Sequence, residues 1–343
     1  MLAGRKGDLI FRFYILNALE NVGFFDYLEE PRAYGDILAE FGFIDSEYTR
    51  EMLILMSMDR ENPVIHEDGV YRRNPETEIP TLDQVLSQVP KRIHELTLVG
   101  EGMHKNILER LREDYREVED IFVRDEKRLV EKFNTLLGSK TYSAIRKASF
   151  DNLPKSELRW LQGKHLLELG CGNGVETAEI WLYTNGKVDI TGVDLVPDMV
   201  ELARKQFETY LDELDGDHAE VSPENHPDFE VGNIMSLQYE PDSFDACYSM
   251  LVMHWAAEPK DVVREMIRVV RPQGLIFGAQ PIKPYVNPYL DMLIRSSRNS
   301  YGFFWKDDFV QWFREFGLEI EMGTPAGIFR VRNTREATEL AMR

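Results

Sequence analysis

Apolar residues recur at helical spacing near the start of the chain, at Leu9, Phe13, Leu16, Leu19 and Val22. That spacing predicts a packing helix, followed by the Val22-Gly23-Phe24-Phe25-Asp26-Tyr27-Leu28 stretch. A short helix is expected over residues 34–42, closed by Gly42, because a glycine takes up the left-handed turn that ends a helix. A third helix runs to Met58 from a cap at Asp45 or Ser46, whose side-chain oxygens can accept a free backbone N–H. Asn62-Pro63 stops it. Two short apolar runs, 64–66 and 70–72, flank Glu67-Asp68-Gly69, and Asp-Gly between such runs predicts a hairpin. Three helices and a hairpin make a winged-helix pattern; an assorted helical cap is the blander alternative.

From Leu82 to about Phe150 the pattern is helical and strongly charged, with acid and base alternating over residues 105–132 as on a solvated helix face. Beyond Gly163 the pattern switches to alternating strands and helices, which argues for a parallel sheet. Strands are expected at 164–169, 188–194, 229–231, 244–250, 275–279, 318–322 and 327–331. Helices are expected at 175–183, 197–210, 260–270 and 306–316. Residues 212–228 are acidic and read as a surface insertion. The chain divides on this pattern into 1–82, a helical connector and cover at 83–155, and an α/β domain at 156–343.

Composition narrows the function. The chain has 343 residues and a formal net charge of −20, which repels phosphate backbones and makes nucleic acid a poor partner. The expected third helix, rich in Met and Leu with Arg50 as its one arginine, also lacks the basic face of a recognition helix and looks built for burial against a second subunit. No run of about 18 apolar residues suggests a membrane span. Cys171 and Cys247 provide neither a disulfide framework nor a metal cluster, so a reducing, cytoplasmic setting is expected.

The candidate chemistry begins where the apolar run His165-Leu166-Leu167-Glu168-Leu169 ends in Gly170-Cys171-Gly172-Asn173-Gly174. Glycines allow a sharp turn that brings backbone N–H groups against a ligand, and a helix N-terminus behind the turn suits its anionic or polar groups. A second apolar strand ends at Asp194-Leu195, an acid 24 positions after Gly170 and placed to accept ribose hydroxyls. Third comes Asn233-Ile234, whose amide would pair with an adenine edge, and fourth the stretch Asp245 to Trp255. Each has a bland alternative: Asp194 capping the next helix, Asn233 in a plain turn, Cys171 simply packing. Four in order at successive strand ends argue for a ligand site.

Residues 164–280, with their Gly170-x-Gly172-x-Gly174 turn preceded by Glu168, resemble the class I S-adenosylmethionine-dependent methyltransferases. The resemblance extends to Glu258-Pro259 and to the Arg271-Pro272-Gln273-Gly274 approach to the next strand. It implies a Rossmann-like α/β fold with a mostly parallel seven-stranded sheet and S-adenosylmethionine as cofactor. Glu168 and Gly170, Cys171, Gly172 and Gly174 would then hold the methionine end, Asp194 and Leu195 the ribose and adenine, and Ser249, Met250 and Leu251 would lie beneath the sulfonium. Asn233, with Ile234, stands where the family usually has Asp. The N-terminal order resembles small-molecule O-methyltransferases that dimerise through a winged-helix domain. A homodimer acting on a small-molecule methyl acceptor follows from that likeness.

Methyl transfer from a sulfonium needs alignment and exclusion of water, and a hydroxyl acceptor also needs a base. His254, nine positions after Asp245, is the candidate at the spacing of the O-methyltransferases' histidine, although the Asp of their His-Asp-Trp is missing from His254-Trp255. A packed histidine is the alternative. Tyr285, Tyr289 and the run Tyr301 to Trp305 are candidates to line an apolar acceptor pocket; Phe309, Trp312, Phe313 and Phe316 read as core. O-methylation of an apolar or aromatic hydroxyl compound is therefore expected. C- or N-methylation without a histidine base and a cofactor-binding winged-helix regulator are the alternatives.

Overall fold

The computed structural model describes residues 4–58, 61–113, 134, 137–138, 140–215, 221–222, 225–297, 300–324 and 327–343. The expected charged helix face beyond residue 113, and residues 216–220 and 223–224 of the acidic segment, lie outside these. The chain forms two units, one within residues 2–132 and 286–302, the other within 133–285 and 303–343. No described helix is long and apolar enough to cross a membrane.

In the first unit, α1 (Gly4–Glu20) buries Ile10, Phe11 and Ile15 besides Phe13, Leu16 and Leu19, a wider stripe than its sequence spacing suggests. It is covered on several sides, by α5 (Leu82–Gln88), α6 (Thr97–Arg112) and a helix at Pro288–Arg295. Between them come α2 (Phe24–Tyr27), β1 (Arg32–Ala33), α3 (Tyr34–Phe41) and α4 (Glu47–Met58). Gly42 ends α3 at φ 64°. Ser46 caps α4, its Oγ accepting the Thr49 N–H at 3.2 Å, while Asp45 turns aside to Arg50 and Tyr34. The hairpin β2 (Val64–Glu67) and β3 (Val70–Arg73) turns at Asp68 and Gly69, both at positive φ as a type I′ turn requires. β1 pairs with the far side of β3 to complete three strands.

The second unit opens with α7 (Lys140–Asp151) and α8 (Lys155–Leu161) and is built on a seven-stranded sheet. Its strands are β4 (His165–Leu169), β5 (Asp189–Asp194), β6 (Asp228–Val231), β7 (Phe244–Met250), β8 (Val270–Ala279), β11 (Glu321–Met322) and β12 (Ile328–Arg332). They lie in the order β11-β12-β8-β7-β4-β5-β6; β12 alone runs against the others, pairing antiparallel with both β11 and β8. β9 (Ile282–Lys283) and β10 (Phe304–Trp305) form a separate parallel pair. Helices α9 (Val175–Tyr183), α10 (Pro197–Leu214), α11 (Pro259–Val269), α12 (Pro288–Arg295, in the first unit), α13 (Lys306–Glu315) and α14 (Arg335–Ala341) complete the chain.

Successive strand residues face opposite sides, so the sheet carries two cores. Leu167, Cys247 and Ile276 join α11, α13 and α14 on one face. Leu166, Ala246, Tyr248 and Phe277 join α7, α9 and α10 on the other. Phe309 and Phe313 are fully buried in the first of these cores, so the aromatic stripe of α13 packs against the sheet. β8 begins at Val270, before the expected 275, because Gln273 takes φ 67° and the β7–β8 pairing shifts register between Phe244 and Ala246. The expected strand at 318–322 shortens to β11, since Leu318 turns into the core.

Candidate functional site

Strand order reverses beside β4: the chain runs outward through β5 and β6, then crosses to β7 and β8 on the other side. Open α/β sheets take ligands at the carboxyl ends of strands where the order switches. The glycine turn sits there. A Cβ on Gly170, at φ 74°, would lie 2.5 Å from Val252 Cγ2, and one on Gly172 would lie 2.9 Å from Leu137 Cδ1. The N–H groups of Gly170 and Cys171 both donate to the Val193 carbonyl, at 2.7 and 3.1 Å, fixing the turn to the end of β5.

Asp194 binds the two motifs together. Its Oδ2 accepts the Gly172 N–H at 3.0 Å and its Oδ1 the Val196 N–H at 2.9 Å. One carboxylate therefore closes the local turn after β5 and ties it to the glycine turn, and it does not cap the helix that begins at Pro197. Burial raises its pKa despite the backbone donors. Leu195 beside it is 63% exposed, an apolar face at the strand end. Asn233 is exposed and its Oδ1 accepts the Met235 N–H at 2.9 Å, an Asx turn after β6; Ile234 packs on the core.

At the end of β7, Ser249 is fully buried and Met250 nearly so, while Leu251 takes φ 52°, a left-handed conformation costly for a branched side chain. The next turn, Met253–Trp255, carries His254. A residue that sequence reasoning missed holds this corner: Gln280 donates from Nε2 to Ser249 Oγ at 3.0 Å and accepts the Met253 N–H at 3.3 Å. His254 is 6% exposed, its ring 5.1 Å from that of Phe303 and 5.2 Å from that of Trp255. Burial lowers its pKa to about 3, so the imidazole is neutral. Of the other aromatic candidates, Tyr289 is buried in α12, and Tyr285 and Tyr301 are exposed.

Beneath the glycine turn lies a buried polar cluster, most of which the sequence did not announce. Glu168, fully buried, accepts the Thr177 hydroxyl on Oε2 at 2.6 Å, and its Oε1 has no hydrogen-bond partner among the described residues. Glu176, in the first turn of α9, also has a buried, unpartnered Oε1. Arg146 pairs in bidentate fashion with Glu179 at 2.6 and 3.0 Å and donates to the Leu137 carbonyl at 2.8 Å. Burial pushes the Glu168 carboxyl up to about 7 and raises Glu176 well above the usual range. Asn173, fully buried, donates to Tyr210 at 3.0 Å and to Asn134 Oδ1 at 2.5 Å. No motif flags Asn134, Arg146 or Tyr210, because each comes from a distant helix.

Residues 167–278 match a family described as a methyltransferase domain. Among curated proteins, a ubiquinone biosynthesis O-methyltransferase of Neisseria meningitidis is 27% identical over 135 residues, 39% of this chain and 50% of that protein. The matched stretches span half or less of the length of the curated relatives. Among solved structures, the CurJ carbon methyltransferase superposes with a TM-score of 0.68 at 13% identity, covering 96% of this chain and 92% of that one. The mitomycin 7-O-methyltransferase does so with a TM-score of 0.54 at 16% identity, covering 96% and 94%.

Proposed function

Residues 167–278 form a class I, S-adenosylmethionine-dependent methyltransferase domain, and from that premise we propose that the protein methylates a small molecule at the oxygen of an apolar or aromatic hydroxyl compound. The observation that carries the reading is the Gly172–Asp194 hydrogen bond, which joins the glycine turn to a carboxylate at the neighbouring strand end. The residues fit the cofactor. The backbone of the turn packs so closely on Val252 that Gly170 admits no Cβ, and Glu168 Oε1 is a buried acceptor with no partner among the described residues. When bound, S-adenosylmethionine supplies a methyl group already activated on its sulfonium.

The chain's own work is then binding, alignment and proton removal. Glu168 and the glycine turn take the methionine end, Asp194 the ribose hydroxyls, and exposed Leu195 and Asn233 the adenine. Gln280 fixes Ser249 and the Met253 amide, and so the turn that carries His254. A neutral imidazole can accept a proton, but burial makes this one a weak base, which confines the role to acidic acceptors such as a phenol or enol. His254→Ala is expected to slow turnover on such acceptors by roughly 10²-fold or more, the usual worth of a general base, with cofactor affinity held. Full turnover after that substitution would remove the base role. With methyl-labelled donor, NMR of the product separates a methoxy group from a C-methyl group. Transfer to carbon is the second reading, supported by the end-to-end likeness to a carbon methyltransferase structure.

The N-terminal helices and three-stranded sheet are read as a winged-helix dimerisation domain. Ile54 at 46% and Met58 at 78% exposure put apolar surface on α4 in support of that reading. Sedimentation should give a dimer that Met58→Asp weakens; a monomer at all concentrations would refute it.

A further inference from the structure

Three carboxyls, Glu168, Glu176 and Glu179, are each more than nine-tenths buried around one guanidinium, that of Arg146. Arg146 gives its bidentate face to Glu179, which leaves Glu168 and Glu176 without a paired cation among the described residues. Each of the two keeps one buried oxygen with no hydrogen-bond partner among the described residues. Thr177 serves the other oxygen of Glu168, and the Tyr248 hydroxyl, itself within 2.9 Å of Ser149 Oγ, reaches Glu176. A buried carboxylate without a counter-charge is costly, so the pair retains protons until a cation arrives. Asp194 from β5 and Glu179 from α9 deepen this; Arg146 opposes it by its charge, and the Tyr248 hydroxyl opposes it at Glu176, but burial outweighs both.

We propose that Glu168 and Glu176 form a proton-exchanging pair in which the α-ammonium of the methyl donor replaces a carboxyl proton, so that cofactor binding releases a proton and Glu176 is a cofactor-positioning residue. This rests on the S-adenosylmethionine reading. The proton leaves to the solvent, and the ammonium N–H groups take over as donors to the two orphaned oxygens. The cluster lies under the turn that receives the methionine end, so the cation is delivered where the charge is missing. Adenosine and ribose contacts play no part in it.

Titration calorimetry of the full chain with S-adenosylhomocysteine, which carries the same amino-acid end, reads the exchange directly. Near pH 6.5, across buffers of different ionisation heat, about one proton per site should be released, and affinity should weaken up to about tenfold per pH unit below that. With 5′-methylthioadenosine, which lacks the amino-acid end, release should vanish. Glu176→Gln should cut the release by more than half and flatten the pH dependence. Binding of S-adenosylhomocysteine without proton release, or release unchanged in Glu176→Gln, overturns the inference and leaves the cofactor reading intact. No binding at any pH overturns both. The wild-type measurement decides the matter even where the variant does not fold.

Discussion

At the scale of single residues, the site depends on positions where one atom more or less is decisive. Gly170 is the clearest: a methyl group there meets Val252 at 2.5 Å on a backbone at φ 74°. Gly170→Ala should lower cofactor affinity at least tenfold by calorimetry while the far-UV spectrum stays that of the parent, because the strain is confined to the turn. Gln280 is subtler. It touches no expected ligand atom yet holds both ends of the corner that presents His254. Gln280→Ala should lower kcat with little change in cofactor affinity; an equal loss in both would place Gln280 in the binding site itself. The glycines, Glu168, Asp194, Asn233 and His254 were legible as a set because each stands at the end of an apolar run. Gln280 was not, since one amide after a strand has no pattern around it.

At the scale of elements, two long-range ties organise the chain. Arg146 joins α7 to α9 through Glu179 and at the same time holds the Leu137 carbonyl. Removing it strands a buried carboxylate, so Arg146→Met should cost about 3–5 kcal/mol in denaturant unfolding. A loss below 1 kcal/mol would mean the pair is solvated in solution. The second tie brings α12 into the N-terminal unit, where Met292 accepts the Tyr48 hydroxyl at 3.0 Å and Arg295 pairs with Glu51. Tyr48→Phe should cost about 1–3 kcal/mol and speed amide exchange across 288–295, because a buried carbonyl loses its donor. Hydrophobic periodicity located α12's neighbours and most strands to within a few residues. It could not say that residues 286–302 leave the α/β unit, since periodicity records which face is apolar and not which partner covers it.

At the scale of the whole molecule, charge and protonation set the response to pH. The raised carboxyl of Glu168 keeps its proton in the folded state after the unfolded chain has lost it, so more protons are bound folded than unfolded between about pH 4.5 and 7. Stability therefore falls as pH rises through that window, and Glu176 adds in the same direction. His254 works oppositely: it is neutral when folded and protonated when unfolded between about pH 3 and 6.5, so its contribution grows with pH. Comparing wild type with Glu176→Gln cancels the histidine. The variant should gain stability relative to wild type as pH rises from 5 to 8, measured by thermal or urea unfolding. A constant difference would show that Glu176 ionises normally. The formal charge of −20 adds a general repulsion that salt should relieve in both proteins alike.

The sequence by itself determined most strands of the sheet and the helices between them, the switch from helical to alternating pattern beyond Gly163, and the glycine and acid motifs at strand ends. These are local: a strand, a turn and a helix start are written in consecutive residues whose backbone preferences add. Tertiary structure alone decided that Asp194 and the Gly172 amide meet, that Gln280 and Ser249 lock the His254 turn, and that Arg146 pairs with Glu179 beside two further buried glutamates. It decided as well that burial lowers the pKa of His254 and holds the imidazole neutral. Burial, desolvation and charge pairing depend on which distant side chains close over a group, and residues 146, 179, 248 and 280 come together only when the sheet and its helices do.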